Sequence, residues 1–209
     1  MSPATVFVVD DDPSVRKALA SSILAAGLNV KTFASAREFL DHGPPEGPAC
    51  LVLDFRMPDL SGLDLQAELS SRDIRTPIIF ITGHGDIPVT VKAMKGGAVD
   101  FLTKPFKFMN LLAVIREALK KDELLQAYRA KKAEVQRRIQ TLTPREREVL
   151  DLVVKGLLNK QITAELGTAE RTVKTQRSRM MQKMQVRSVA ELVHAVEQVK
   201  AEPAPPATP

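Results

Sequence analysis

The feature that most restricts the fold of this chain is a fivefold alternation in its first 120 residues. Short apolar runs occur at "TVFVV" (5–9), "NVKTF" (29–33), "ACLVLD" (49–54), "PIIFIT" (77–82) and "VDFLT" (99–103). Segments with helical spacing lie between them near 13–26, 35–41, 62–71 and 86–96, and a fifth begins at Pro105. Strand and helix alternating with short turns predict a parallel sheet covered by helices on both faces. In such sheets ligands bind beyond the carboxyl ends of the strands, where the strand order reverses.

That rule selects a set of residues. Asp10, Asp11 and Asp12 follow the first strand, Asp54 ends the third, Thr82 ends the fourth and Lys104 follows the fifth. Three adjacent carboxylates repel one another unless a cation sits among them, so the triplet reads as a metal site, an acid/base pair or an exposed acidic turn. Hard oxygen donors suit Mg²⁺, which keeps several waters and needs only a few carboxylates. A lysine on the same rim adds a point charge for phosphoryl oxygens.

Charge is unevenly spread. Residues 1–120 hold 13 Lys and Arg against 14 Asp and Glu, whereas residues 121–209 hold 17 against 11. The basic carboxy-terminal part therefore suits a polyanion such as nucleic acid. A lone cysteine, Cys50, rules out a disulfide framework and fits a reducing compartment. With neither a membrane-length apolar run nor a secretory pattern in view, the expectation is a cytoplasmic protein without membrane partners. His42, His84 and His194 lack ligand spacing, "HGPPEGP" (42–48) is a punctuated loop, and the tail 201–209 is rich in proline and alanine and expected to be disordered.

The set "VVDDD", "LVLDFRMPDLSG", "FITGHG" and "DFLTKPF" resembles the receiver domain of two-component response regulators. The resemblance implies a five-stranded sheet of flavodoxin-like order 2-1-3-4-5, with Asp54 accepting a phosphoryl group from a sensor histidine kinase. Asp10, Asp11 and Asp54, with the backbone carbonyl of Arg56, would hold Mg²⁺, and Asp12 would be structural. Thr82 and Lys104 would contact the phosphoryl oxygens, Phe101 matches the aromatic switch position, and Lys104–Pro105 matches a bond often held cis. Gly83 stands where the family more often has alanine, which would loosen the switch loop. The receiver would catalyse its own phosphoryl transfer and dephosphorylation without being an enzyme in the usual sense.

A rival reading takes "VVDDDPS" as the motif of haloacid-dehalogenase-like phosphatases, with Asp10 as nucleophile and Asp12 as acid/base. That family needs a later acidic pair, for which Asp122–Glu123 is the candidate, and it leaves Asp54 without a role. A third reading keeps DNA binding but drops the phosphorylation switch.

The carboxy-terminal part begins at "LTPREREVL". Thr143 is a good N-cap, Pro144 a first helical residue, and Glu146 completes a capping box. Further helices are predicted at 159–166, 170–184 and 188–199, the first two of these joined across Gly167. Residues 171–187 carry six basic residues and no acid, as a groove-entering helix would. The segment "LTPREREVLDLVVKGLLNKQITAELGTAERTVKTQRSRMMQKMQVRSVAELV" is similar to the DNA-binding domain of LuxR-type regulators, and the two halves together resemble the FixJ/NarL class. By position, Lys174, Thr175 and Ser178 would face base edges, and Thr172, Arg179, Lys183 and Asn159 would contact phosphates. Ala169 replaces the usual capping serine and Gln176 a usual histidine.

These resemblances imply a receiver at 1–122, a helical linker at 123–140, a helix-turn-helix domain at 141–200 and the tail at 201–209. They further imply promoter DNA and RNA polymerase as partners, and a homodimer when phosphorylated. Apolar residues Leu111, Val114, Ala118, Leu125, Tyr128, Val135, Ile139 and Leu142 recur at 3–4 spacing, interrupted by Lys121 and Lys132. They predict one long helix whose stripe is a coiled-coil seam for a second copy.

Overall fold

The computed structural model describes residues 3–83 and 87–200, so His84 and the tail 201–209 lie outside the described residues. It divides into two compact units, residues 1–126 and 127–209. In the first, β1 (Thr5–Val9), β2 (Asn29–Phe33), β3 (Ala49–Asp54), β4 (Ile78–Thr82) and β5 (Asp100–Thr103) form one parallel sheet of order β2-β1-β3-β4-β5. The helices α1 (Pro13–Ala25), α2 (Ala36–His42), α3 (Gly62–Ser71), α4 (Ile87–Lys95) and the start of α5 (Phe108–Gln140) cover it.

The period-2 geometry of the strands builds two cores from one sheet. Val6, Val8, Val52, Ile79 and Ile81 pack with Leu19 and Ile23 of α1 and Leu111, Ile115 and Ala118 of α5. Their neighbours Phe7, Val9, Leu51, Leu53 and Phe80 pack with Phe39, Leu65 and Ala93 of α2, α3 and α4. Every residue of β3 and β4 is buried, which is why those runs are apolar throughout rather than alternating. The Lys104–Pro105 bond is cis, and α5 starts at Phe108 rather than Pro105, the intervening residues forming a turn.

The second unit holds α6 (Pro144–Val154), α7 (Asn159–Leu166), α8 (Glu170–Met184) and α9 (Val189–Lys200) around Val149, Val153, Ile162, Val173, Met180, Met184 and Leu192. Thr143 and Glu146 form the predicted capping box. Gly167 ends α7 in the left-handed region at φ 57°, where a side chain is costly, and so sets the tight turn into α8.

The predicted long helix is present as α5. Leu111 and Ala118 are buried in the first unit's core, and Val135, Ile139 and Leu142 pack into the second unit's core. The two ends of the apolar stripe thus serve two intramolecular cores, while Leu125 and Tyr128 between them stay half-buried. Among the described residues, no helix is long and apolar enough to cross a membrane.

Candidate functional site

The carboxyl ends of β1 and β3 and the turn after β5 bring three charged side chains together. Lys104 Nζ donates to Asp54 Oδ1 at 2.8 Å and to Asp10 Oδ2 at 3.0 Å. Asp10 is 1% exposed and Asp54 6%, so the ammonium is what makes two neighbouring buried carboxylates tolerable. Each carboxylate keeps a second anchor. Asp12 N donates to Asp10 Oδ1 at 2.9 Å, and Arg56 N donates to Asp54 Oδ2 at 2.9 Å. The Asp10 backbone carbonyl accepts from Arg16 Nη1 at 2.6 Å.

The electrostatics follow from this packing. Burial raises the Asp54 carboxyl above its ordinary range; the hydrogen bond and charge of Lys104 pull the other way, and Asp10 adds to the rise. Burial also disfavours the Lys104 ammonium, but its bonds to Asp54 and Asp10 outweigh that and leave its pKa raised. Asp12 belongs to a different job. It is exposed, and its Oδ1 caps α1 by accepting from Ser14 N at 2.7 Å and Val15 N at 3.3 Å, bonds that hold its carboxyl low.

The remaining residues of the expected pocket are placed as follows. Thr82, 1% exposed, ends β4, and its carbonyl accepts from Lys104 N at 2.6 Å. Asp11 is exposed at the start of the turn. Phe101, half-buried on β5, has ring centroids 6.2 Å from Phe80 and 6.3 Å from Phe55. Gly83 is exposed and directly precedes residues outside the described range. Among the described residues, no three acidic, His or Cys side chains form a metal-holding group, and Asp10 and Asp54 both pair with the Lys104 ammonium.

Gly62 closes the stretch "LVLDFRMPDLSG", and its contribution is one that no chemical group announces. It is the first residue of α3, and a Cβ placed on it would lie 2.8 Å from the Asp54 carbonyl and 2.8 Å from Phe80 Cε1. Only glycine lets α3 start against the back of Asp54. The signal was the small residue at the head of a helix eight positions after Asp54.

The phosphatase reading fails on position. Asp122 is 2% exposed and accepts from Ala49 N at 2.8 Å and Gln126 Nε2 at 2.8 Å. Ala49 begins β3 and Asp54 ends it, so the acidic pair lies at the far end of the strand, about 17 Å from the pocket at ~3.3 Å per residue.

In the second unit, α8 buries Val173, Met180 and Met184 and exposes Arg171, Thr172, Lys174, Thr175, Ser178 and Arg179. Lys174 Nζ lies 3.1 Å from Glu170 Oε1 in an exposed pair that contributes little and is easily exchanged for another anion. Thr175 Oγ1 donates to Arg171 O at 3.0 Å. Ala169 occupies the N-cap without a side-chain bond, so Thr168 does not substitute for the missing serine. Two of the expected phosphate contacts have intramolecular partners. Lys183 Nζ donates to Glu146 Oε2 at 2.6 Å and Thr141 O at 3.2 Å, and Asn159 Oδ1 accepts from Arg177 Nη1 at 2.8 Å. Glu146 is 2% exposed, and the Lys183 hydrogen bond, then the Thr143 N–H, holds its carboxyl below the ordinary range.

Comparison with known proteins agrees with both halves. Residues 6–116 match the response regulator receiver domain, and residues 140–196 match the luxR family of bacterial regulatory proteins. The chain is 52% identical over 181 residues to nodulation protein W of Bradyrhizobium diazoefficiens, covering 87% of this chain and 80% of that protein. It is 43% identical over 184 residues to the transcriptional regulatory protein FixJ of Rhizobium meliloti, covering 88% and 90%. The solved response regulator StyR is 49% identical with a TM-score of 0.88, covering 94% of this chain and all of that one. A receiver whose acidic pocket is assembled at the strand ends and a LuxR-type helix-turn-helix on the same chain place this protein in the FixJ-like family of response regulators that regulate transcription.

Proposed function

We propose that Asp54 is the phosphoacceptor of a cytoplasmic two-component system, and that its phosphorylation controls promoter binding through a homodimer. The observation that carries this reading is the convergence of Asp10, Asp54 and Lys104 on one buried point. An Asp54 oxygen attacks the phosphorus of a kinase phosphohistidine, the P–N bond breaks, and the imidazole leaves with its electron pair. Lys104 pairs with the incoming phosphoryl oxygens and Thr82 hydrogen-bonds them, offsetting the repulsion between a carboxylate and an anionic electrophile. Phe101 then reports the change on the surface.

The donor set fits Mg²⁺: two buried carboxylates, an exposed third and a carbonyl are all hard oxygens, and Mg²⁺ is satisfied by one or two carboxylates plus water and phosphate. Asp10, Asp11 and Asp54, with the Arg56 carbonyl, would hold it. When bound it supplies the charge neutralisation that lets the carboxylate attack.

Dimerisation is supported by α4, where Ile87, Val91 and Met94 are 78%, 44% and 43% exposed at helical spacing, an apolar stripe in need of cover. On DNA, Lys174, Thr175 and Ser178 face base edges, and Thr172 and Arg179 face phosphates. Lys183 keeps one ammonium hydrogen for a phosphate beside Glu146. The functional division is receiver 1–122, linker 123–140, DNA-binding domain 141–200 and tail 201–209, with RNA polymerase the partner at the promoter.

Acetyl phosphate with Mg²⁺ should add one phosphoryl group by intact mass and shift the chain toward a dimer. Chelation and Asp54→Asn should each abolish the label. Undiminished labelling of Asp54→Asn would refute the assignment, and DNA binding indifferent to phosphorylation would favour the switch-free reading.

A further inference from the structure

Five basic residues lie along α8: Arg171, Lys174, Arg177, Arg179 and Lys183. Their surroundings differ. Lys174 faces Glu170 and Lys183 faces Glu146, so both share their charge with a carboxylate. Arg171 and Arg179 are exposed. Arg177 is half-buried, and its Nη1 donates to the side-chain oxygen of Asn159, the first residue of α7, at 2.8 Å. Among the described residues, no carboxylate lies within ion-pairing distance of it.

A neutral brace has a specific consequence. An amide oxygen orients a guanidinium without cancelling its charge, and the remaining N–H groups of the fork stay available. A half-buried cation with no counter-ion is costly, and is maintained where an anion arrives to complete it. The anion is a backbone phosphate rather than a base edge. At 3.6 residues per turn, Arg177 sits about 40° from the buried line of Val173, Met180 and Met184 and about 160° around the helix from Thr175. With about 60° to Lys174 and about 100° to Ser178, it lies at the edge of the groove-facing surface that Lys174, Ser178 and Thr175 form, not at its centre. Its half-buried side chain reaches Asn159 at the start of α7, on the flank of α8.

We propose that Arg177 is a phosphate-binding residue of the DNA interface and that Asn159 is its positioning residue. Asn159 acts through the guanidinium rather than touching the DNA itself. This rests on the reading of α8 as the groove-entering helix, and the test separates the two.

The experiment measures binding of the full-length chain, with and without acetyl phosphate and Mg²⁺, to random-sequence duplex DNA across a salt series. Arg177→Met keeps the aliphatic stem and removes the charge. It should lower the slope of log affinity against log salt by about 0.9, the value for one phosphate, and weaken all duplexes by the same factor. Asn159→Ala should weaken the wild-type chain but cost nothing more in the Arg177→Met background. Asn159→Asp, which turns the neutral brace into an ion pair, should lower the slope as Arg177→Met does. An unchanged slope in Arg177→Met or Asn159→Asp overturns the proposal, as does an Asn159→Ala loss that persists in full without Arg177. A wild-type chain that binds no duplex under either condition overturns the groove-helix reading itself.

Discussion

Lys104 and Asp54 are fifty residues apart in the chain and 2.8 Å apart in space, and the same ammonium reaches Asp10 at 3.0 Å. The lysine is a structural counter-ion for both carboxylates. Lys104→Met should therefore destabilise the first unit by leaving two buried carboxylates facing each other. Breaking a buried pair costs about 3–5 kcal/mol, and the 28% exposure of Lys104 places the loss at the lower end. Denaturant titration checks it, and Mg²⁺ should stabilise Lys104→Met more than the wild-type chain, because a cation then replaces the missing charge. Equal Mg²⁺ gains in both proteins would refute this account.

Glu146 joins two parts of the second unit, capping α6 through Thr143 and receiving Lys183 from α8. Its folded pKa lies below the ordinary glutamate value of about 4.3, so its contribution is complete above that value. The contribution is lost as pH falls through the lowered folded value. Stability should thus be flat in this respect from about pH 7 to 5 and decline below about 4.3. Glu146→Gln should be less stable than wild type near neutrality and converge with it in acid. Melting curves of the two proteins between those pH values decide it: parallel curves would remove Glu146 as the cause.

The receiver pocket was legible in the sequence because its residues sit at strand ends, and the strands announce themselves as uninterrupted apolar runs. Asp10, Asp54, Thr82 and Lys104 each follow or end such a run, so the topology alone assembles them. What was hidden has a common cause: it depends on pairing across long separations. Nothing near Lys183 in sequence points to Glu146, thirty-seven residues earlier, and nothing near Arg177 points to Asn159. Gly62 was hidden for a different reason, since its importance is a close approach to the Asp54 carbonyl rather than a chemical group. The 3–4 spacing along α5 records only that one face is covered, and that its two ends enter different cores depends on contacts far apart in sequence.

Ala169 leaves the first turn of α8 without a side-chain cap. Its φ of −74° and ψ of 145° are already those of an N-cap residue, so a serine there needs no backbone change. Ala169→Ser should stabilise the second unit by about 1 kcal/mol, within the range of about 0.5–2 kcal/mol known for such caps. The gain should appear as a raised melting temperature of that unit with receiver labelling unaffected. No gain would mean that the exposed amides of this turn are already satisfied by solvent.

The two ends of α5 belong to different cores, and this gives opposite expectations for substitutions along one helix and its exit. Ile115 is fully buried in the first unit, and Leu142, just beyond the helix, is 7% exposed in the second. Truncating either to alanine should cost about 2–5 kcal/mol through lost burial and the cavity left behind. Ile115→Ala should lower the temperature at which acetyl phosphate labelling fails while sparing DNA binding, and Leu142→Ala should do the reverse. Lys132→Leu removes a charge from the stripe that would be a seam between copies. Because Val135 and Ile139 already pack inside their own unit, that substitution should leave the sedimentation of the unphosphorylated chain unchanged. A constitutive dimer from Lys132→Leu would restore the seam and deny the two-core account of the helix.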